Sequence, residues 1–284
     1  MKNLPITVPA IAKRKNSGKK ITALTAYDYS FAKLLDSTPI DILLVGDSLG
    51  MVSQGHINTL SVTLEDIVYH TRCVNQGVER ALVVADMPFM SYQVSVEQAV
   101  TNAGILIQQG GAAAVKLEGG ERIINQVNAI LKAGIPVMGH IGLTPQSVHQ
   151  FGGYKVQGKN FLDSKQIKQD AKDLQKAGVF SLVLEGIPEE LAKEITNDLK
   201  IPTIGIGAGS NCDGQILVTE DLLGMYSNFT PKFVKRYSEL GSDIESAVSR
   251  FSMEVKSRTF PGPEHCFGFS DLPSQINKLK KTKI

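Results

Sequence analysis

Ionisable side chains stand at the ends of five short apolar runs in this sequence. They are Asp47 with Ser48 beside it, Asp86, Lys116 with Glu118, His140, and Glu185. If the runs are parallel strands of a barrel or of an open α/β sheet, all these ends lie on the same rim. One aspartate after a strand is often only a turn former, but five polar ends together predict a shared site.

Three of these side chains are hard oxygen donors, namely Asp47, Asp86 and Glu118. The sequence has no HExxH or CxxC motif that would favour a nitrogen or sulfur site. Carboxylates with water suit Mg²⁺, which leaves coordination positions for substrate oxygens. A bound Mg²⁺ can chelate a 2-oxo acid, polarise its carbonyl group and stabilise an enolate. We therefore predict a Mg²⁺ site for such an acid.

The other ionisable side chains fit the same chemistry. Lys116 and His140 would complete the binding site for the anion, and Glu185 would accept a proton as general base. Simpler interpretations stay open for two of them. On these interpretations, His140 is only a hydrogen-bonded histidine at a strand end, and Glu185 forms a buried ion pair with a lysine.

Eight short apolar runs must position these side chains, and segments with helical periodicity separate most of them. The helical segments carry start signals such as Thr63 and the pair Ser95 and Gln98, which has the spacing of a capping box. Glycines such as Gly178 end them. The runs are Ile21–Thr25, Ile42–Gly46, Ala81–Ala85, Ala113–Leu117, Ile135–Gly139, Phe180–Leu184, Pro202–Ile206 and Ile216–Thr219.

Runs that are apolar on both faces are typical of a buried parallel sheet. Eight strand–helix units predict an α/β fold, a single (β/α)8 TIM barrel, although pattern alone leaves an open doubly wound sheet possible. We divide the chain into a lead-in over 1–20, a barrel over 21–268 and a lysine-rich tail over 269–284. The glycine-rich stretch 205–210 lacks the third glycine of a dinucleotide fingerprint, so we expect no Rossmann cofactor.

Composition narrows the class of partner. The 284 residues include 30 Lys and Arg against 28 Asp and Glu, a net charge of +2, which argues against a nucleic-acid coat protein. No apolar stretch approaches the roughly 18 residues of a membrane span. Pro5 and Pro9 argue against a helical transit peptide, and three widely spaced cysteines form no CxxC pair. We expect a cytoplasmic protein that binds small molecules, with neither nucleic acid nor membrane as a partner.

Ordered blocks of sequence around these residues resemble the ketopantoate hydroxymethyltransferase family over roughly residues 5–268. They extend the strand-end motifs on both sides and are far more specific than any one motif. The blocks are TAYDYS at 25–30, LVGDSLG at 44–50, ADMPF at 85–89, VKLEGG at 115–120, GHIGLTPQ at 139–146, FGGYKVQG at 151–158, LVLE at 182–185 and IGIGAG at 204–209.

The resemblance implies a barrel of the phosphoenolpyruvate/pyruvate superfamily and a specific transfer reaction. A hydroxymethyl group would pass from the co-substrate 5,10-methylenetetrahydrofolate to 3-methyl-2-oxobutanoate through a Mg²⁺-stabilised enolate. The products would be 2-dehydropantoate and tetrahydrofolate, in the first step of pantothenate biosynthesis. The resemblance further implies a homo-oligomer, a decamer.

The resemblance also assigns roles position by position. Mg²⁺ ligands would be Asp47 and Asp86, with Glu118 as a further acidic metal-site residue that acts directly or through water. The oxo acid would lie against Asp47, Ser48, Asp86, Lys116 and His140. Glu185 would be the catalytic proton acceptor.

Two other functions remain as alternatives. A related Mg²⁺-dependent barrel could act on another 2-oxo acid as a lyase or a mutase, although the sequence has no KKCGH-like motif for a cysteine at the gate of such a site. A non-catalytic metabolite-binding barrel would need the anion and metal site but could dispense with Glu185.

Overall fold

Eight parallel strands close into a barrel in chain order. The structure is a computed structural model that describes residues 4–226 and 230–268. The closure of the sheet confirms the predicted (β/α)8 barrel and excludes the alternative prediction of an open doubly wound sheet. The strands are β1 Ile21–Thr25, β2 Ile42–Val45, β3 Leu82–Asp86, β4 Ala114–Glu118, β5 Val137–Gly142, β6 Ser181–Glu185, β7 Thr203–Ile206 and β8 Gly214–Leu217.

Alternation along each strand separates two apolar layers. In β2, Ile42 and Leu44 belong to a cluster inside the barrel, whereas Leu43 and Val45 belong to the larger cluster beneath the helices. This is the period of two expected of a strand. Because both faces are buried, the strands appear in the sequence as continuous apolar runs.

Helices cover the outside of the barrel. They are α1 Val8–Ala12, α2 Tyr29–Asp36, α3 Leu49–Val52, α4 Leu64–Gly77, α5 Val96–Ile105, α6 Ile124–Lys132, α7 Val148–Phe151, α8 Phe161–Ala177, α9 Glu189–Asp198, α10 Thr219–Leu222 and α11 Leu240–Ser257. Thr63 caps α4 in a reciprocal box with Asp66, and the Ser95 side chain accepts from the Gln98 N–H at the start of α5. Both helices therefore begin at the residues that the sequence predicted as their start signals.

Two strands are displaced most from their predicted ranges: β5 ends at Gly142, three residues past its predicted end, and β8 lies earlier than predicted. β8 covers Gly214–Leu217, two residues earlier than the apolar run that ends at Thr219. The reason is a long-range contact with β1: the Thr219 N–H donates to Thr25 Oγ1 at 3.0 Å, and the Thr219 hydroxyl donates to the Thr25 carbonyl at 2.5 Å. These bonds tie the chain to the end of β1 and lead it into α10.

The lead-in segment closes the N-terminal end of the barrel. Pro9 does not prevent a helix there, because it lies in the first turn of α1, where a proline is tolerated. Ile11 is fully buried in the inner cluster, and Lys15 pairs with Asp213 beside β8 at 2.8 Å. The barrel is therefore open to ligands at its other end.

Several sequence expectations concern the periphery. No helix of the described ranges is long and apolar enough to cross a membrane. Cys73, Cys212 and Cys266 are free thiols. The predicted tail over 269–284 lies outside the described residues.

Candidate active site

Inward-facing and outward-facing side chains alternate along each strand, and this alternation continues to the C-terminal rim of the barrel. Asp86, Lys116, His140 and Glu185 each follow an inward-facing apolar residue by two positions, and Glu118 follows Lys116 by two. Register then makes neighbours of them, since Asp86 lies opposite Lys116 and Glu118 opposite His140. The structure thus brings together the strand-end residues singled out in the sequence.

Lys116 is the buried cation at the centre of this group. Its Nζ lies 2.8 Å from Asp86 Oδ1 and 3.6 Å from Glu118 Oε1. Burial opposes its charge, but Asp86, Glu118 and Asp47 outweigh that effect and hold the pKa of Lys116 well above its usual range. The ammonium group is therefore present at neutral pH.

His140 lies between two carboxylates. Its Nδ1 is 3.4 Å from Glu118 Oε1, and its Nε2 is 3.2 Å from Glu185 Oε2. Burial and the charge of Lys116 oppose protonation, yet Glu118 and Glu185 raise the pKa of His140 to about 9. The partner of the Glu185 carboxylate is thus a histidine, not the lysine that the simpler interpretation required.

Asp47 and Ser48 enter the site from the turn after β2. The Asp47 N–H donates to Asp86 Oδ2 at 2.9 Å. A side chain at Gly46 would crowd this contact, because a Cβ atom there would stand 2.9 Å from Ser48 Oγ and 3.3 Å from Asp86 Oδ2. The Ser48 hydroxyl is 2.8 Å from that of Tyr27, a neighbour that the sequence did not single out as a site residue.

Gln146 also belongs to the site, although the pattern of polar strand ends did not identify it. Its amide nitrogen donates to Asp47 Oδ2 at 2.9 Å, and its backbone N–H donates to Glu118 Oε2 at 3.0 Å. The buried hydroxyl of Tyr92 donates to Gln146 Oε1 at 2.8 Å. Gln146 follows β5 in a short 3-10 turn, so only its place in the matched block GLTPQ could have drawn attention to it.

The charges of the site suit a divalent cation. Four carboxylates, those of Asp47, Asp86, Glu118 and Glu185, surround Lys116 and His140, whose Nζ and Nδ1 atoms are 3.2 Å apart. Burial, Glu118 and Asp86 raise the pKa of Asp47 well above its usual range. Asp86 Oδ1 and Glu118 Oε1 are buried, and their polar neighbours are the Lys116 ammonium group and the His140 ring. Added positive charge would relieve this excess of negative charge.

The arrangement is not a cage made of protein ligands alone. No group of three acidic, histidine or cysteine side chains among residues 4–226 and 230–268 is arranged to hold an ion. Lys116 occupies the space between Asp86 and Glu118, and Glu118 is engaged by Lys116, His140 and Gln146. The donor set therefore fits an ion held by Asp47 and Asp86, with the remaining positions left to water or substrate, which is the usual condition of protein-bound Mg²⁺.

Fold comparison finds the same architecture in solved structures of other enzymes. A phosphonopyruvate hydrolase, solved as its complex with oxalate and Mg²⁺, superposes with a TM-score of 0.59 at 11% identity, over 97% of this chain and 96% of that one. A 2,3-dimethylmalate lyase of the PEP mutase/isocitrate lyase superfamily gives 0.57 at 17% identity, over 96% and 94%. At such identities the likeness extends to the fold alone.

Sequence comparison finds relatives of much higher identity. The family model described as ketopantoate hydroxymethyltransferase matches residues 5–263. The 3-methyl-2-oxobutanoate hydroxymethyltransferase of Clostridium botulinum (strain Langeland) is 58% identical over 96% of this chain and 98% of its own length. That of Clostridioides difficile (strain 630) is 53% identical over 98% and 100%. The chain belongs to the ketopantoate hydroxymethyltransferase family.

Proposed function

We infer that this chain transfers a hydroxymethyl group from 5,10-methylenetetrahydrofolate to 3-methyl-2-oxobutanoate, as the first step of pantothenate biosynthesis. The observation that carries this inference is the 53% to 58% identity with hydroxymethyltransferases over nearly the whole chain. To the lyase and mutase alternatives, this chain shows a resemblance in fold only. One water supplies the oxygen of the new hydroxyl group, and the products are 2-dehydropantoate and tetrahydrofolate.

We propose Glu185 as the proton acceptor. Its side chain ends β6 at the rim and is 15% exposed, so it remains accessible to a substrate. The reaction requires loss of the C3 proton of the oxo acid, and a carboxylate at the edge of the site can receive it. His140, 3.2 Å away, orients this carboxylate and balances its charge.

We propose that Asp47 and Asp86 bind Mg²⁺ directly and that Glu118 acts on it through water. When bound, the ion polarises the 2-oxo group and stabilises the negative charge that develops on its oxygen. The backbone N–H of Asp47 donates to the Asp86 carboxylate, which holds the turn after β2 against the end of β3. The Gln146 side-chain amide donates to Asp47 Oδ2 and orients that carboxylate.

The anionic substrate would lie against Ser48, Lys116 and His140, beside Asp47 and Asp86. Lys116 and His140 supply positive charge that is already held in place by the carboxylates around them. Such prearranged charge needs little reorganisation when the carboxylate of the oxo acid binds or when its carbonyl gains electron density. The Ser48 hydroxyl, held by Tyr27, can donate to an oxygen of the acid.

The decisive experiment is deuterium exchange at C3 of 3-methyl-2-oxobutanoate, followed by proton NMR in deuterated water. We expect exchange with Mg²⁺, loss of exchange after exhaustive chelation, and recovery when Mg²⁺ is restored. Full exchange by the chelated protein would refute the metal assignment, and no exchange under any condition would favour a binding protein. Addition of methylenetetrahydrofolate should then yield 2-dehydropantoate, and exchange without that product would favour a lyase or mutase.

We also propose a cytoplasmic homo-oligomer, a decamer. The three cysteines are free, which suits a reducing compartment. Within the described part of the chain, helix α11 buries none of its eighteen residues, although it carries an apolar row of Ile244, Val248, Phe251 and Val255, each at least 45% exposed. Contact with further copies of the chain would remove this row from water.

A further inference from the structure

The loops after β2 and β5 meet above the open end of the barrel. The hydroxyl of Tyr154, in the loop after β5, donates to Sδ of Met51, in α3 after β2, at 3.5 Å. Since β3 and β4 separate these two strands in the closed barrel, a contact between their loops must span part of the barrel mouth. The pair thus lies above the rim that carries the carboxylates.

The electrostatic environment of Tyr154 agrees with this position. Partial burial raises the pKa of Tyr154, and Asp47, Glu185 and Glu118 raise it further. These carboxylates come from β2, β6 and β4, three different parts of the rim. Tyr154 is therefore under the electrostatic influence of carboxylates from three parts of the rim.

The loop presents the ring of Tyr154 and keeps it partly exposed. The Tyr154 side chain is 49% exposed and that of Met51 is 39% exposed. Gly152 and Gly153 precede the tyrosine with φ of 64° and 115°, conformations that favour glycine. After it, the Gln157 N–H donates to the Gly186 carbonyl at 2.8 Å. The aromatic surface is thus held at the mouth without being packed into the core.

The direction from which the second substrate can approach is restricted. Strands and helices enclose the sides of the site, and Ile11 of α1 fills the far end of the barrel. A one-carbon donor must therefore approach C3 of the oxo acid through the mouth, next to Tyr154. Methylenetetrahydrofolate brings a fused ring whose pyrimidinone half is flat, and an aromatic side chain offers a flat apolar surface to such a ring.

We propose that Tyr154 positions the one-carbon donor, with the pyrimidinone face of the donor packed on its ring and the methylene carbon directed down to the oxo acid. The proposal rests on the hydroxymethyl transfer inferred above. Tyr154 is a positioning residue for the second substrate and takes no proton in the reaction.

The test compares Tyr154→Leu with Tyr154→Phe. Loss of the ring in Tyr154→Leu should raise KM for methylenetetrahydrofolate about tenfold, the effect of one good aromatic contact, and should weaken the binding of tetrahydrofolate in calorimetry by a similar factor. KM for 3-methyl-2-oxobutanoate should change less than twofold. Tyr154→Phe keeps the ring and loses only the contact with Met51, so it should stay within about threefold of the parent enzyme.

Tyr69→Leu is the matched control, because Tyr69 is 56% exposed on α4, on the outer side of the barrel; neither KM should change. A parallel rise of both KM values in Tyr154→Leu would overturn the proposal and indicate a general closure of the mouth. Unchanged donor affinity, or a fall in kcat alone, would overturn it as well. Failure of the parent enzyme to form 2-dehydropantoate would instead refute the proposed function, a separate outcome.

Discussion

Glu185 ends β6 two residues after the inward-facing Val183, with its carboxylate beside the imidazole of His140. We predict that Glu185→Gln, which keeps the shape and removes the basic oxygen, lowers C3 deuterium exchange at least about a hundredfold. Binding of 3-methyl-2-oxobutanoate in the presence of Mg²⁺, measured by calorimetry, should change little. Glu190→Gln, at an exposed position of α9, is the control and should exchange normally. Undiminished exchange in Glu185→Gln would give the base role to another group.

Glu220 is a buried carboxyl at the same rim that neither the strand-end pattern nor the proposed mechanism uses. It lies in α10, directly after β8. In the described part of the chain no cation pairs with the Glu220 carboxyl group, and its Oε2 atom has no hydrogen bond. Burial, with smaller effects of Asp221 and Asp28, raises its pKa from 4.5 to about 7. The folded protein thus favours the protonated acid.

This shift predicts a pH dependence of stability. Below pH 4.5 Glu220 is protonated in both the folded and the unfolded state, so the shift has no effect on stability. As the pH rises from 4.5 to 7, Glu220 ionises only in the unfolded chain, and the free energy of unfolding falls. The total loss is about 3 kcal/mol once the pH exceeds 7. Glu220→Gln should therefore raise the thermal midpoint at pH 8 and leave it nearly unchanged at pH 5. An equal offset at both pH values would show that ionisation is not the cause.

At the scale of the elements, the sequence was most informative where one local rule decides the structure. Parallel strands buried on both faces must be apolar runs, and helices such as α4 and α5 begin at residues whose side chains cap them. Alternation then extends the inward-facing series of each strand to its polar end. The barrel and the convergence of Asp86, Lys116, Glu118, His140 and Glu185 were for this reason predictable.

The same rules do not reach groups that depend on contacts between distant loops. Gln146 contacts Asp47 across 99 positions of the chain, and Tyr154 contacts Met51 across 103. Both lie outside regular strands, where no period fixes the direction of a side chain. The early end of β8 has a similar origin, since the hydrogen bonds of Thr219 are formed with Thr25 across 194 positions.

At the scale of the whole molecule, the small net charge of +2 conceals a strongly uneven distribution. Buried charges concentrate at one end of the barrel, while the other end is closed by ion pairs such as Lys15 with Asp213. Neither end accounts for the exposed apolar row on α11. A helix that buries none of its residues against the described part of its own subunit gains little from such a row unless another surface covers it.

We therefore predict that a charge placed in this row disrupts the assembly. Val248 is 59% exposed and lies at the middle of the row, so Val248→Glu should leave the fold of the monomer intact and weaken contacts between subunits, because burial of an unpaired carboxylate is costly. Ser246→Glu adds the same charge on the opposite side of α11, about 160° away at 100° per residue, and is the matched control. Light scattering after size exclusion should show a smaller species for Val248→Glu alone, with an unchanged circular dichroism spectrum. If both variants keep the mass of the parent assembly, α11 is not part of its interface.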